Sequence, residues 1–280
     1  MRRGGRGRPQ AKGVAGLVDW RECERAAAEA AVAAGRLILP WAGRPSEVTT
    51  KSSPADLVTE MDRQSEALIR QMLLSRFPEH GLLGEEGGGR LDRELVWHVD
   101  PIDGTTNFVH GLPGFCVSIG LCQAGRPVVG AVYDPVADEL FSAAAGHGAL
   151  LNGRPLRPSP ERRLAEALLG TGFPPVDPGK EWSWRSSLAV SAHVRNLRNL
   201  GSAALHLCYV AAGRLSGFWE SGLNSWDVAA AVAILREAGG RASSIGGEEW
   251  HAGLRGCVGT NGGVHDELLA VLARIAGPQY

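Results

Sequence analysis

Three short segments of this 280-residue chain set acidic side chains in turn or strand-end contexts. The first is Gly84-Glu85-Glu86-Gly87, which closes an apolar run. The second is Asp100-Pro101-Ile102-Asp103-Gly104-Thr105-Thr106-Asn107-Phe108. The third is Ser225-Trp226-Asp227, at the start of a helical pattern. The middle segment is the most informative. An apolar run, Leu95–Val99, delivers Asp100 at its end. Pro101 fixes φ and blocks continuation as a helix. Asp103 follows three residues on, where a tight turn brings both carboxylates to one point. Carboxylates forced together repel by several kcal/mol unless a cation lies between them. None of the three segments contains His or Cys, so their oxygens select Mg²⁺, Mn²⁺ or Ca²⁺ over Zn²⁺. The Ile102 carbonyl is a natural further ligand. Gly104 lets backbone approach a ligand closely. With Thr105 it can present amide N–H groups to a phosphate, as at a helix start. Any one of these acids alone reads as a cap or turn carboxylate. The complete strand-end string is too specific for that.

The elements that must hold these acids follow from periodicity. Asp19–Leu39 carries apolar residues at helical spacing and Pro40 ends it. Asp62–Phe77 reads as a second helix, followed by Pro78. Short apolar runs then take over at Gly81–Gly84, Leu95–Asp100, Cys116–Cys122, Val128–Tyr133 and Leu140–Ala144. Gly and Pro separate them, which predicts an antiparallel meander. Asn152-Gly153 marks a tight turn. The second half alternates. Strands are expected at Ala167–Gly170, Gly217–Glu220, Arg241–Ser244 and Gly256–Thr260. Helices are expected at Ser183–Val194, Ser202–Ala212, Asp227–Ala238 and His265–Ile275. The sum is an α+β or α/β sandwich with alternating helix and sheet layers. The expected division is a disordered basic arm (1–16), an N-terminal α+β half with the metal site (17–155) and a C-terminal α/β half completing it (156–280).

Composition narrows the classes. The net charge of −1 hides an asymmetry, since residues 1–12 carry +5 without any acid and the other 268 carry −6. An acidic body suits a protein that gathers carboxylates for cations. Gly, at 38 residues, is about twice its usual share. The five cysteines are odd in number and lack C-x-x-C spacing, which reads as reduced thiols in a cytoplasmic protein. No apolar run reaches the roughly 18 residues of a membrane span. No apolar region follows the basic N-terminus as a secretory signal requires.

The string Asp100 to Phe108, continued by Val109-His110-Gly111-Leu112-Pro113, resembles the signature of the inositol monophosphatases, Mg²⁺-dependent and lithium-sensitive phosphomonoesterases. Three further blocks agree in order and spacing. They are Lys51 to Thr59 with Asp62, Gly84-Glu85-Glu86, and Trp226-Asp227 through Gly240. The likeness spans about residues 17–275. It implies that Glu85, Asp100 and Asp103, with the Ile102 carbonyl, hold one Mg²⁺. Asp100, Asp103 and Asp227 would hold a second, and Glu85 with water a third, weaker one. It implies a Thr105–Asp62 hydrogen bond that, with Glu85, polarises the attacking water. The Gly104 and Thr105 amides would hold phosphate. Glu220 and the Ala203 backbone would meet the alcohol, with Asp103 and Asp227 also touching ring hydroxyls. It further implies a bacterial-type member, a homodimer and inhibition by Li⁺.

The reaction so implied is hydrolysis of a phosphorylated polyol, led by inositol 1-phosphate. Histidinol phosphate, fructose 1,6-bisphosphate and other sugar phosphates remain open. A non-enzymatic alternative is an RNA-polymerase-associated regulatory protein that contacts nucleic acid through the +5 arm. Two departures from the family pattern stand out. Ala231 occupies a position where many relatives have Gly, and Pro174-Pro175-Val176-Asp177-Pro178 is unusually proline-rich beside the expected substrate mouth. Other residues take plainer roles. His98 is structural, His110 belongs to a loop or interface, and Glu86 supports Glu85. Trp182 and Trp184 pack in the core, and Lys51 is balanced between phosphate contact and solvation.

Overall fold

The computed structural model describes residues 18–44, 48–50, 57–174 and 179–275. Lys51, the basic arm and residues 175–178 of the proline-rich loop lie outside the described residues. Helix α1 (Trp20–Ile38) starts where the Asp19 carboxylate accepts from the Arg21 and Glu22 amides. Its buried stripe is mostly Ala, which lets the helix lie close to what it covers. Helix α2 (Glu60–Arg76) opens on a capping box between Thr59 and Asp62, two residues earlier than periodicity suggests.

A two-stranded ribbon pairs β1 (Val48–Thr50) with β2 (Leu57–Thr59). The main sheet has eight strands: β3 (Gly81–Gly84), β4 (Gly88–Gly89), β5 (Leu95–Asp103), β6 (Cys116–Gln123), β7 (Arg126–Asp134), β8 (Glu139–Ala144), β9 (Ala149–Leu151) and β10 (Arg154–Pro155). Their order is β10-β9-β8-β7-β6-β5-β3-β4. From β5 onward it is the expected antiparallel meander. Between β3 and β5 the expectation fails, because these two strands are parallel. β4 folds back on β3 and returns the chain, so β5 starts at the same end as β3. A second sheet holds β11 (Leu168–Thr171), β12 (Asn196–Arg198), β13 (Gly217–Ser221), β14 (Arg241–Ser243) and β15 (Gly256–Thr260), in the order β12-β11-β13-β15-β14. The remaining helices are α3 (Thr105–His110), α4 (Gly179–Ser191), α5 (Ala203–Ala211), α6 (Ser225–Glu237) and α7 (His265–Leu272).

These elements form five layers. α1 and α2 cover one face of the eight-stranded sheet, and α5 and α6 cover the other. The five-stranded sheet follows, closed by α4 and α7. Strand β7 shows the two-sided burial directly. Val129, Ala131 and Tyr133 pack with α1, while Val132 packs with α5 and α6. The fold is therefore an α+β layered sandwich.

Helix α6 approaches the main sheet unusually closely. Gly120 and Gly130 are cross-strand partners on β6 and β7. A Cβ on Gly120 would stand 2.6 Å from the Ala230 amide nitrogen, and one on Gly130 would overlap the Ala230 backbone. Only glycine admits this approach. Ala229, Ala230, Ala231, Val232 and Ala233 are accordingly buried. The contact holds the first turn of α6, and Asp227 with it, against β5 and β6.

Candidate functional site

The parallel β3–β5 pair creates the first wall. Gly84 is the register partner of Val99, so Glu85 and Asp100 leave adjacent strands at the same carboxyl end. The Glu85 amide donates to the Val99 carbonyl at 3.1 Å. A bulge then does what the sequence reading assigned to a tight turn. Asp100 pairs with Ser118 and Asp103 with Cys116, so three steps on β5 match two on β6. Residues three apart on a regular strand face opposite sides, and one inserted residue returns them to the same side. Pro101 sits within the bulge, where its missing N–H costs no ladder bond. Strand β5 thus continues to Asp103 instead of ending at Asp100.

Gly104 follows with φ +94°, and a Cβ there would meet the Gly114 carbonyl oxygen at 2.8 Å. It caps α3, a short helix that the sequence pattern had not resolved. Thr105 Oγ1 donates to the Ile102 carbonyl at 2.9 Å, and the Ile102 amide donates to Asp100 Oδ1 at 3.0 Å. Asp62 lies buried at the start of α2, where Oδ2 accepts from the Thr59 amide at 2.7 Å and the Thr59 hydroxyl at 2.6 Å. Its Oδ1 is buried without a hydrogen-bond partner. The Thr105 hydroxyl proton and Asp62 Oδ2 are therefore engaged elsewhere, not with each other.

The second wall comes from the other side of the sandwich. Asp227 closes a capping box at the start of α6, with Oδ2 accepting from the Asn224 amide at 2.7 Å. That box starts α6 two residues before the expected Asp227. Ser202 caps α5, accepting from the Leu205 amide at 3.1 Å. Its hydroxyl also donates to Asp103 Oδ2 at 2.5 Å, beside the Ala204 amide at 2.7 Å. Glu220 stands on β13, and Gly172 faces it: a Cβ on Gly172 would collide with the Glu220 carboxylate. One cavity of about 520 Å³ gathers Glu85, Asp100, Ile102, Asp103, Gly104, Thr105, Ala203, Glu220 and Asp227. Asp62 does not line it.

Burial and crowding leave a clear electrostatic signature. Burial, then Glu85, Asp103 and Asp227, push the Asp100 carboxyl well up. Burial, then Glu85 and Asp103, do the same to Asp227. Burial lifts Asp103 to about 6, against the opposing bonds from Ser202 and Ala204. Burial lifts Asp62 to about 6, and burial followed by Asp103 lifts Glu220 to about 8. Among the described residues no Lys or Arg forms an ion pair with Asp100, Asp103 or Asp227. Such an oxygen-only donor set suits hard divalent cations. No three described His, Cys, Asp or Glu groups are placed to enclose an ion on their own. An ion held there would need carbonyl, water or substrate oxygens to complete its shell.

Several supporting residues had no role assigned from sequence, although Asn107 stands within the signature string. Glu66, buried on α2, accepts from the Glu86 amide at 2.8 Å and the Gly87 amide at 3.0 Å, and so fixes the turn that bears Glu85. Asn107 donates to the carbonyls of Pro113, Gly114 and Leu200, binding the signature to the opposite wall. His206 Nε2 accepts from the Leu200 amide at 3.1 Å and Nδ1 contacts the Ser202 carbonyl at 2.6 Å. The aromatic pair divides. Trp182 is buried, whereas Trp184 is 58% exposed and stacks on Phe173, which lines the cavity. His110 is exposed at the end of α3.

The layered α+β fold holds an acidic, oxygen-lined cavity suited to divalent ions, and the relatives place such a protein among the phosphoric monoester hydrolases. The model of the "Inositol monophosphatase family" matches residues 19–277. An inositol-1-monophosphatase of Synechocystis sp. is 43% identical over 268 residues, covering 94% of this chain and 91% of that protein. A Nus factor SuhB of Pseudomonas aeruginosa is 43% identical over 232 residues, covering 79% and 84%. The solved inositol monophosphatase of Anabaena (Nostoc) sp. superposes with a TM-score of 0.82 at 38% identity, covering 91% and 97%. This chain belongs to the inositol monophosphatase family.

Proposed function

We propose that the protein hydrolyses inositol 1-phosphate to inositol and phosphate with Mg²⁺, acting as a cytoplasmic homodimer. One observation carries this reading. Glu85, Asp100, Asp103 and Asp227 line a single cavity beside the Gly104 and Thr105 amides, and the three aspartates have no basic partner among the described residues. Glu85, Asp100, Asp103 and the Ile102 carbonyl would hold one ion. Asp100, Asp103 and Asp227 would hold a second, and Glu85 contributes to a third; Mn²⁺ suits the same donors. Bound there, the ions supply Lewis acidity that lowers the pKa of water and neutralises charge on the transferring phosphoryl group.

The chain's own residues do the rest. The Gly104 and Thr105 amides hold the phosphate at the start of α3. Glu85 and Thr105 orient the attacking water. Asp62 Oδ1 is buried without a hydrogen-bond partner, and it would accept from the Thr105 hydroxyl when that proton leaves the Ile102 carbonyl. Asp103 keeps Oδ2 on Ser202 and Ala204, which leaves Oδ1 for the ion or the alcohol. Glu220 and the Ala203 amide receive the polyol, and Gly172 makes the space for Glu220. All five cysteines are free and buried, in keeping with a reducing compartment. No helix among the described residues is long and apolar enough to cross a membrane.

A kinetic panel tests this directly. Inositol 1-phosphate, histidinol phosphate, fructose 1,6-bisphosphate and simple sugar phosphates are compared with Mg²⁺, without it, and with added Li⁺. The expected result is Mg²⁺-dependent, Li⁺-inhibited turnover with the highest kcat/KM for inositol 1-phosphate. Equal kcat/KM across the panel would remove the inositol preference. A second reading rests on the likeness to a Nus factor and on the +5 of residues 1–12. Salt-sensitive RNA retention that vanishes on deleting residues 1–12 would support it.

A further inference from the structure

His98 lies on β5 two residues before Asp100, and Ser225 opens α6 two residues before Asp227. Both side chains are buried, and His98 Nδ1 stands 2.8 Å from Ser225 Oγ. Strand alternation explains the direction of the contact. Trp97 and Val99 join the cluster under α1 and α2, with α2 the helix against β5, so His98 and Asp100 turn to the face that α6 covers. On the next strand Ser118, the cross-strand partner of Asp100, donates to the Trp226 carbonyl at 3.4 Å. Strands β5 and β6 therefore grip the two residues that immediately precede Asp227.

The Gly120–Gly130 contact with Ala230 fixes how close α6 lies to the sheet. It does not fix where along the sheet the helix stops, because small apolar surfaces resist sliding weakly. A directional hydrogen bond does fix it. A buried His–Ser pair is also a costly way to fill space that an apolar pair would fill more cheaply.

We propose that the His98–Ser225 hydrogen bond is a positioning device that sets the spacing of Asp100 and Asp227 across the two walls of the site. The proposal rests on the reading that these two aspartates share divalent ions. Neither His98 nor Ser225 lines the cavity, so both act through the aspartates.

The test measures Mg²⁺ and Mn²⁺ binding by calorimetry in the absence of substrate, with thermal melts in EDTA alongside. Wild type is compared with Ser225→Ala, Ser225→Thr, His98→Leu, His98→Asn and the Ser225→Ala/His98→Leu double variant. Ser225→Ala and His98→Leu are each expected to weaken ion binding about tenfold. The double variant should be no weaker than the worse single one, since one bond is lost in each case. Ser225→Thr and His98→Asn, which keep a polar partner, should recover most of the affinity. Unchanged ion affinity together with lowered EDTA melting temperatures would reduce the pair to a structural contact and overturn the proposal. Additive losses in the double variant would overturn it too. A wild-type chain that binds neither ion would instead overturn the metal reading on which the proposal rests.

Discussion

The two walls of the cavity are built in different ways. The wall from the eight-stranded sheet is one nearly continuous stretch, Glu85 to Asn107, shaped by backbone. A parallel strand pair sets Glu85 beside Asp100, a bulge returns Asp103 to the same face, and Gly104 turns the chain into α3. The wall from the other layers is assembled from scattered points: Gly172, Ser202, Ala203, Glu220 and Asp227. Each is held by a helix cap or a strand end that closes only when the layers pack. The first wall gathers charge, and the second restrains it. Ser202 and Ala204 hold Asp103, Asn224 holds Asp227, and Asn107 reaches across to Leu200.

If both walls serve one ion centre, removing an acid from either should be equally damaging. Asp100→Asn and Asp227→Asn should each lower kcat by about three or more orders of magnitude, worth several kcal/mol of transition-state stabilisation. Steady-state kinetics at saturating Mg²⁺ check this. A Asp227→Asn enzyme within tenfold of wild type would place the chemistry on the first wall alone.

The next effect separates the walls by pH. Carboxyls raised by folding stabilise the metal-free protein below their unfolded pKa and lose that contribution as pH rises through the folded value. For Asp103 the loss runs to about 6 and for Glu220 to about 8. His98 and His206, both pushed to about 4 by burial, act in the opposite sense. Their contribution is complete above about 6.5 and is lost as pH falls toward 4. Between pH 6.5 and 8 the histidines are silent and the carboxyls dominate. Stability in EDTA should fall there by up to about 1.4 kcal/mol per pH unit for each titrating carboxyl. Added Mg²⁺ should flatten the slope. Melts at pH 6.5, 7.5 and 8.5 with and without the ion check this, and a flat EDTA profile would show that the carboxylates are not crowded.

The same contrast explains what could be read from sequence. Asp100 to Phe108 is legible because its chemistry is local: Pro101, Gly104 and two acids stand in a fixed string. The helices other than the short α3 were legible to within a few residues because their burial repeats every turn. The polarity of β3 against β5 was not legible, since it depends on where β4 returns the chain, and nothing in Gly81–Gly84 encodes a partner. Ser202, Gly172 and His206 were silent for a similar reason. A serine before an alanine-rich helix reads as an ordinary cap, and only packing shows that its hydroxyl also binds Asp103. Glu66 reads as one more acid on a polar helix, although both of its oxygens are committed to the turn carrying Glu85.

Ser202→Ala tests the restraint of the second wall. It removes one donor to Asp103 and the cap of α5 together. A loss of about 1–3 kcal/mol in stability is expected by urea unfolding, with activity reduced about tenfold. Unchanged activity would mean that Asp103 is held well enough by the Ala204 amide.

The smallest effect belongs to the first wall's own support. Glu66→Gln keeps one acceptor for the amides of Glu86 and Gly87 but turns an N–H group toward the other. It also weakens the contact with Arg70, whose Nη2 lies 3.0 Å from Glu66 Oε1 and donates as well to the Gly88 carbonyl. The turn is only half-buried, so water can satisfy the amide that is left over, and the stability cost should stay near about 1 kcal/mol. The functional signature is narrower than a general loss. Glu85 is the acid this turn carries, so the Mg²⁺ concentration giving half-maximal rate should rise a few-fold while kcat at saturating Mg²⁺ changes little. A fall in kcat with unchanged Mg²⁺ dependence would show that Glu66 supports the fold of the turn without setting the ion-binding geometry of Glu85.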